Sequence, residues 1–266
     1  MPQHHPETRA PSKPSSFSGG PRIADREALT RRPEGRAKVM FQRWSNLLFL
    51  HWAVPPETIQ ATLPPGLHVD TWDRRGWLGV VPFFMEGLRP RFCPPVHGIS
   101  NFLELNLRTY VHDEAGRPGV WFYSLDANQR LGVRIAQTVF SLPYVYADIQ
   151  AGSGPDRWID FQSERKGQPR QHFRYRSGAG LGTAEPGSLE FFLVERYLLF
   201  AHRQKSGSLF AGRIHHAPYP LAQPEVSAWS TDLFRLNGFA DPGRCFDHAL
   251  MSPGVSVTVY GLERVR

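Results

Sequence analysis

Hydrophobic and polar residues alternate without a break from Asn101 to Val111. Leu103, Leu105 and Leu107 fall on one side, and Phe102, Glu104, Asn106, Arg108 and Tyr110 on the other. A period of two with aromatic and β-branched flanks specifies a strand. Gly119–Asp126 reads as its hairpin partner across the polar turn 113–118. One side of the strand thus gathers a carboxylate, an amide, a guanidinium and a phenol. Such a face either meets water or lines a polar pocket, and the difference decides whether the chain holds a site.

The same pattern organises the rest of the chain. Trp44–Val54 is an apolar strand stopped by the fixed φ of Pro55-Pro56. A short helix over Glu57–Leu63 closes at Pro64-Pro65-Gly66, and Leu67–Asp73 is predicted to pair with Gly76–Met85 around Arg74-Arg75. Gln129–Phe140 has helical spacing, and Pro143 ends it by excluding Leu142 from helical geometry. Tyr144–Ile149, Trp158–Glu164 and His172–Arg176 read as three shorter strands. Ser188 caps a helix through Val194, with a strand following to His202. Gly212–His216, a short helix over Ser230–Leu236 and a final strand Gly254–Glu263 complete the reading. The expected fold is α+β and mainly β: a curved antiparallel sheet or cone-like open β-barrel with a few short helices.

Composition agrees. The 24 Gly and 24 Pro in 266 residues favour many turns and short strands over a helical bundle. The net charge of +7 invites an anionic partner, but residues 1–38 hold eight Lys/Arg against four Asp/Glu, leaving only +3 for the remainder. Residues 1–38 are expected to be a disordered basic tail rich in Pro and Ser, an unstructured extension with Met40 as the natural beginning, and 39–266 a single β domain. Nucleic-acid binding through the tail ranks last, because the folded part lacks an interleaved basic and aromatic run. No window is long and apolar enough for a membrane span, and no secretory signal is legible, so the expected place is the cytoplasm with Cys93 and Cys245 reduced.

Three segments carry a family resemblance: Phe102-Leu-Glu-Leu-Asn-Leu-Arg-Thr-Tyr-Val111, Phe140-Ser-Leu-Pro-Tyr144 and Phe192-Leu-Val-Glu-Arg-Tyr197. In this order they resemble the YqjF-like family of uncharacterised bacterial proteins, within the acetoacetate decarboxylase-like superfamily. The resemblance implies a cone-like antiparallel β fold with a central cavity. It also places Glu104 where the superfamily's cavity glutamate lies, and Leu125-Asp126 on a second shared motif. Pro143 matches the proline that precedes the Schiff-base lysine of acetoacetate decarboxylase, but Tyr144 and Val145 stand at the two lysine positions. The four lysines, Lys13, Lys38, Lys166 and Lys205, all lie in the tail, at its junction or in polar loops. An imine-forming amine must be desolvated or set beside another cation. Acetoacetate decarboxylase activity is therefore not expected.

The candidate catalytic residues are Glu104, as an acid/base, and Tyr144, as a donor to a developing oxyanion or a ring that plugs the pocket. Arg108 is the candidate grip for a carboxylate. Its Cα stands about 13 Å along the strand from that of Glu104, so the two are suited to opposite ends of one ligand. Asn106, Tyr110, Asp126, Glu195 and Arg196 complete the substrate-binding set. Glu195 and Arg196 enter an otherwise apolar stretch as an internal ion pair that could orient the first group. His215-His216 cannot chelate one ion, since neighbours on a strand face opposite ways, and His51 reads as a satisfied core histidine. Gly178-Ala-Gly-Leu-Gly182 lacks dinucleotide-loop spacing and reads as a hairpin loop. No metal or cofactor is expected. The function expected is binding, extending to turnover, of a small organic acid or carbonyl compound; the alternative is a non-catalytic scaffold or interaction protein whose cavity its own side chains fill.

Overall fold

The computed structural model describes residues 20–130 and 141–265. All but Gln129 and Arg130 of the helix expected over Gln129–Phe140, and half of the expected tail, lie outside the described residues. Seven strands close into a ring: β1 (Lys38–Val54), β3 (Gly76–Pro90), β4 (Phe102–Asp113), β5 (Pro118–Ala127), β10 (Leu198–Arg203), β11 (Ser208–His215) and β13 (His248–Arg264). All neighbours in the ring are antiparallel except β5 and β10. The mainly β expectation is met, and the open barrel becomes a closed one. Closure comes from β1 pairing with β13 over Lys38–His51, between the two ends of the chain.

From β13 the sheet continues outward through β12 (Leu221–Ala228), β9 (Gln171–Gly182), β8 (Ile159–Glu164) and β7 (Asp148–Ser153). This extension, with the short helix α4 (Asp232–Leu236), covers one outer wall of the barrel. Leu48, Leu50, Trp52, Leu105 and Leu107 pack outward against Phe161, Phe173, Tyr175 and Phe234. Phe49, Val81, Phe83, Tyr110, Val257 and the helix α3 (Leu189–Val194) form the inner cluster. Both faces of β4 are therefore buried, and its alternation separates two environments rather than core from water.

Some expectations change. β2 (Leu67–Val69) pairs with β4, not with β3, whose two edges are taken by β1 and β4. The stretch expected as a Gly-rich hairpin loop is the end of β9, with Gly180 and Gly182 opposite Ala222 and Leu221. A Cβ at Gly178 would meet the Gln223 carbonyl at 2.6 Å, so glycine there permits close strand approach. The expected strand Tyr144–Ile149 divides into β6 (Tyr144–Tyr146), parallel to β5, and β7.

Inside the stretch assigned by composition to the tail, Ile23–Thr30 forms helix α1 (α2 is Pro56–Gln60). What orders it is distant in sequence: Arg26 grips Asp70 through both terminal nitrogens at 2.6 and 2.7 Å, and Arg213 binds the carbonyls of Leu29 and Arg31. No helix among the described residues is long and apolar enough to cross a membrane. Cys93 and Cys245 are free and exposed.

Candidate functional site

The polar row of β4 points into the barrel. Glu104 is opposite Phe83, Asn106 opposite Val81 and Arg108 opposite Gly79, all on the inner face. Glu104 is 3 % exposed. The Tyr144 hydroxyl donates to its Oε2 at 3.0 Å, and the Asn106 side chain is a second hydrogen-bond partner. Burial pushes the Glu104 carboxyl up to about 8, against the pull of those two hydrogen bonds. Burial and the adjacent carboxylate raise the Tyr144 phenol well above its ordinary value. At neutral pH this end of the barrel is an uncharged acid beside an uncharged phenol.

Arg108 lies on the inner face of the barrel and is 8 % exposed. Its Nη2 donates to the Leu193 carbonyl at 3.2 Å and to the Tyr110 hydroxyl at 3.4 Å. The guanidinium lies 5.3 Å from the Phe49 ring centre and 5.6 Å from that of Tyr110. Among the described residues it has no carboxylate partner, and its Nε is buried without a hydrogen bond. A desolvated cation held by one carbonyl and two rings is suited to receive an anion.

Two histidines that sequence reasoning set aside lie near this guanidinium. His51, beside Phe49 on β1, shares a 2.7 Å hydrogen bond with Tyr110. His216 lies between Tyr197 and Tyr219, with ring centres 4.6 Å away on either side. Its Nδ1 gives a hydrogen to the Ala217 carbonyl at 2.8 Å. Burial lowers it to about 4, so Nε2 is a bare lone pair, buried without a partner among the described residues. His51 is likewise held well below the ordinary range by burial and by His248 and Arg108. The only sequence signal for His51 was its place in the inward alternation of β1; for His216 there was none, because its neighbours come from separate loops.

The remaining candidates separate. Asp126 is opposite Leu105 on the outer face and is gripped by Arg165 at 2.9 and 2.7 Å, so it does not join the inner group. The bulge between Leu107 and Arg108 adds Tyr123 to β5, which shifts that strand's register beyond Ser124. Glu195 accepts from the Tyr219 amide at 2.9 Å and from the Tyr197 hydroxyl, and burial raises its carboxyl. Arg196 pairs with Asp70 at 2.7 Å rather than with Glu195, and its guanidinium covers the ring of Tyr110 at 5.0 Å. It thereby packs on the ring whose hydroxyl accepts from Arg108. Lys38, Lys166 and Lys205 are exposed, away from the barrel interior.

Comparison with known proteins gives the family and the fold. The sequence profile of the DUF2071 family, described as an uncharacterised conserved protein, matches residues 41–256. The uncharacterised protein YqjF of Bacillus subtilis (strain 168) is 41% identical over 194 residues, covering 71% of this chain and 78% of that protein. Among solved structures, the enduracididine biosynthesis enzyme MppR complexed with pyruvate is similar, with a TM-score of 0.61 and 14% identity over 86% of this chain and 90% of its own. Acetoacetate decarboxylase from Legionella pneumophila has a TM-score of 0.58 and 12% identity over 96% of this chain and 98% of its own. These structural likenesses carry the fold.

Proposed function

The chain belongs to the DUF2071 family, and from that premise we propose that it binds a small organic acid or carbonyl compound inside the barrel, with Arg108 holding the carboxylate. The observation that carries this reading is the buried guanidinium with no acidic partner among the described residues. In the proposal, Glu104 supplies a proton to the far end of the ligand as a neutral acid, assisted by Tyr144 and Asn106. Covalent amine chemistry has no part in it. MppR, of similar fold, is described as complexed with pyruvate, which makes pyruvate a reasonable first probe.

Isothermal titration calorimetry with pyruvate and acetoacetate tests the assignment. Removing a charge-assisted contact worth about 1.5–3 kcal/mol should weaken binding by roughly 10- to 100-fold in Arg108→Gln. Equal affinity in the wild type and the variant would refute the role of Arg108. The rival reading, a scaffold with a self-filled interior, is favoured by the Phe49 and Tyr110 rings and the Leu193 carbonyl that already surround the guanidinium. It predicts that neither acid binds and that Arg108→Gln changes stability alone.

A further inference from the structure

A row of residues runs along the inner face of the barrel wall from Arg108, across three neighbouring strands, towards Glu190. His248 is opposite His51 between β13 and β1, His51 is opposite Gly79 between β1 and β3, and Gly79 is opposite Arg108 between β3 and β4. A Cβ on Gly79 would stand 3.2 Å from both His51 Cδ2 and the Tyr110 hydroxyl oxygen. The missing side chain is the gap through which the imidazole and the phenol meet.

Hydrogen positions along the row follow from the partners. Arg108 can only donate, so the Tyr110 oxygen accepts from its Nη2, and the phenol's own hydrogen goes to His51 Nε2. Neutral His51 then carries its hydrogen on Nδ1. At the other end the Glu190 carboxylate can only accept, so His248 bears its hydrogen on Nε2, 3.4 Å from Oε1. Burial lowers His248, against the pull of Glu190, and the neutral ring is left with a bare Nδ1. Both Nδ1 atoms are buried without partners among the described residues, and the two ring centres are 5.8 Å apart. One of these atoms is a donor and the other an acceptor. The Glu190 side chain is 40% exposed and opens the row to solvent.

We propose that Tyr110, His51, His248 and Glu190 form a proton exit from the barrel, serving abstraction of a proton beside the carbonyl of a small acid held by Arg108. This rests on the carboxylate-binding reading of Arg108. The ligand's C–H bond breaks, its electron pair moves into the carbonyl to form an enolate, and the proton passes to the Tyr110 oxygen. Tyr110 gives its own proton to His51 Nε2, His51 passes its Nδ1 proton through one bridging water molecule to His248 Nδ1, and His248 gives its Nε2 proton to Glu190. Glu190 releases it to water. The phenol is restored, each imidazole ends as the other tautomer, the Glu190 carboxylate is regenerated, and the enolate's negative charge beside Arg108 is balanced by the proton given to water.

Two measurements on the full chain test the relay. Nitrogen-15 NMR of the imidazoles should show the Nδ1–H tautomer for His51 and the Nε2–H tautomer for His248; the opposite tautomer at His51 would overturn the proposal. Proton NMR in D2O should show deuterium entering the pyruvate methyl group faster than in buffer. That rate should fall tenfold or more in His248→Phe and in the surface variant Glu190→Gln, with pyruvate affinity by calorimetry unchanged. Pyruvate that binds but does not exchange, or exchange indifferent to both variants, sinks the relay and leaves the binding reading intact. A wild type that binds no pyruvate removes the binding reading, and the relay with it.

Discussion

Glu104→Gln should make this protein more stable in alkaline solution than the wild type. The Glu104 carboxyl titrates at about 8 in the fold, against an ordinary 4.5, because the barrel interior desolvates it. At about 1.4 kcal/mol per pH unit, that gap is worth about 5 kcal/mol. The sign follows from proton binding: between those two values the folded chain holds a proton that the unfolded chain has released. Unfolding free energy therefore falls as pH rises from 4.5 to about 8 and is flat above, as far as this group is concerned. Glutamine retains the shape and can still accept from Tyr144, but it does not titrate. Urea unfolding followed by circular dichroism at pH 5, 7 and 9 should place the two proteins within about 1 kcal/mol at pH 5, the variant leading by about 5 kcal/mol at pH 9. Groups remote from Glu104 cancel in the difference; Tyr144 and Asp126, which interact with its charge, do not cancel fully. Parallel stability profiles across this range would mean that Glu104 is not in a low-dielectric interior.

Other consequences are more local. Asp70→Asn leaves Arg26 and the buried Arg196 without their shared carboxylate, and should destabilise by about 3–5 kcal/mol in urea unfolding at pH 7. Burial pushes the Asp70 carboxyl up, but Arg196 and Arg26 outweigh it and hold it below the ordinary range. Its contribution is thus present above the ordinary carboxylate value and lost as pH falls through the folded one, so the gap between the two proteins should narrow in acid. Gly119→Ala would set a Cβ 2.7 Å from Phe200 and 2.8 Å from the Leu198 carbonyl at the parallel β5–β10 junction. A loss of about 1–3 kcal/mol, read as a lower thermal midpoint, is expected. Borohydride added with pyruvate should leave the chain's mass unchanged, since the three described lysines are exposed and solvated; a reduced adduct would contradict the amine-free reading.

The sequence alone determined that Glu104, Asn106, Arg108 and Tyr110 share one face, because a strand's side chains alternate whatever surrounds it. It also determined that no lysine stands at Tyr144 or Val145, which is a matter of residue type. Asp126 shows the limit: it was grouped with the inner residues by motif, yet its pairing opposite Leu105 turns it to the outer wall and to Arg165. Only the tertiary structure decided which side of β4 is enclosed, through the pairing of the chain's first and last strands and the layer folded over the barrel's outside. The histidines were illegible for the same reason. His51, Tyr110 and His248 lie far apart in the chain, and periodicity reports the direction of a side chain, never the identity of the strand beside it.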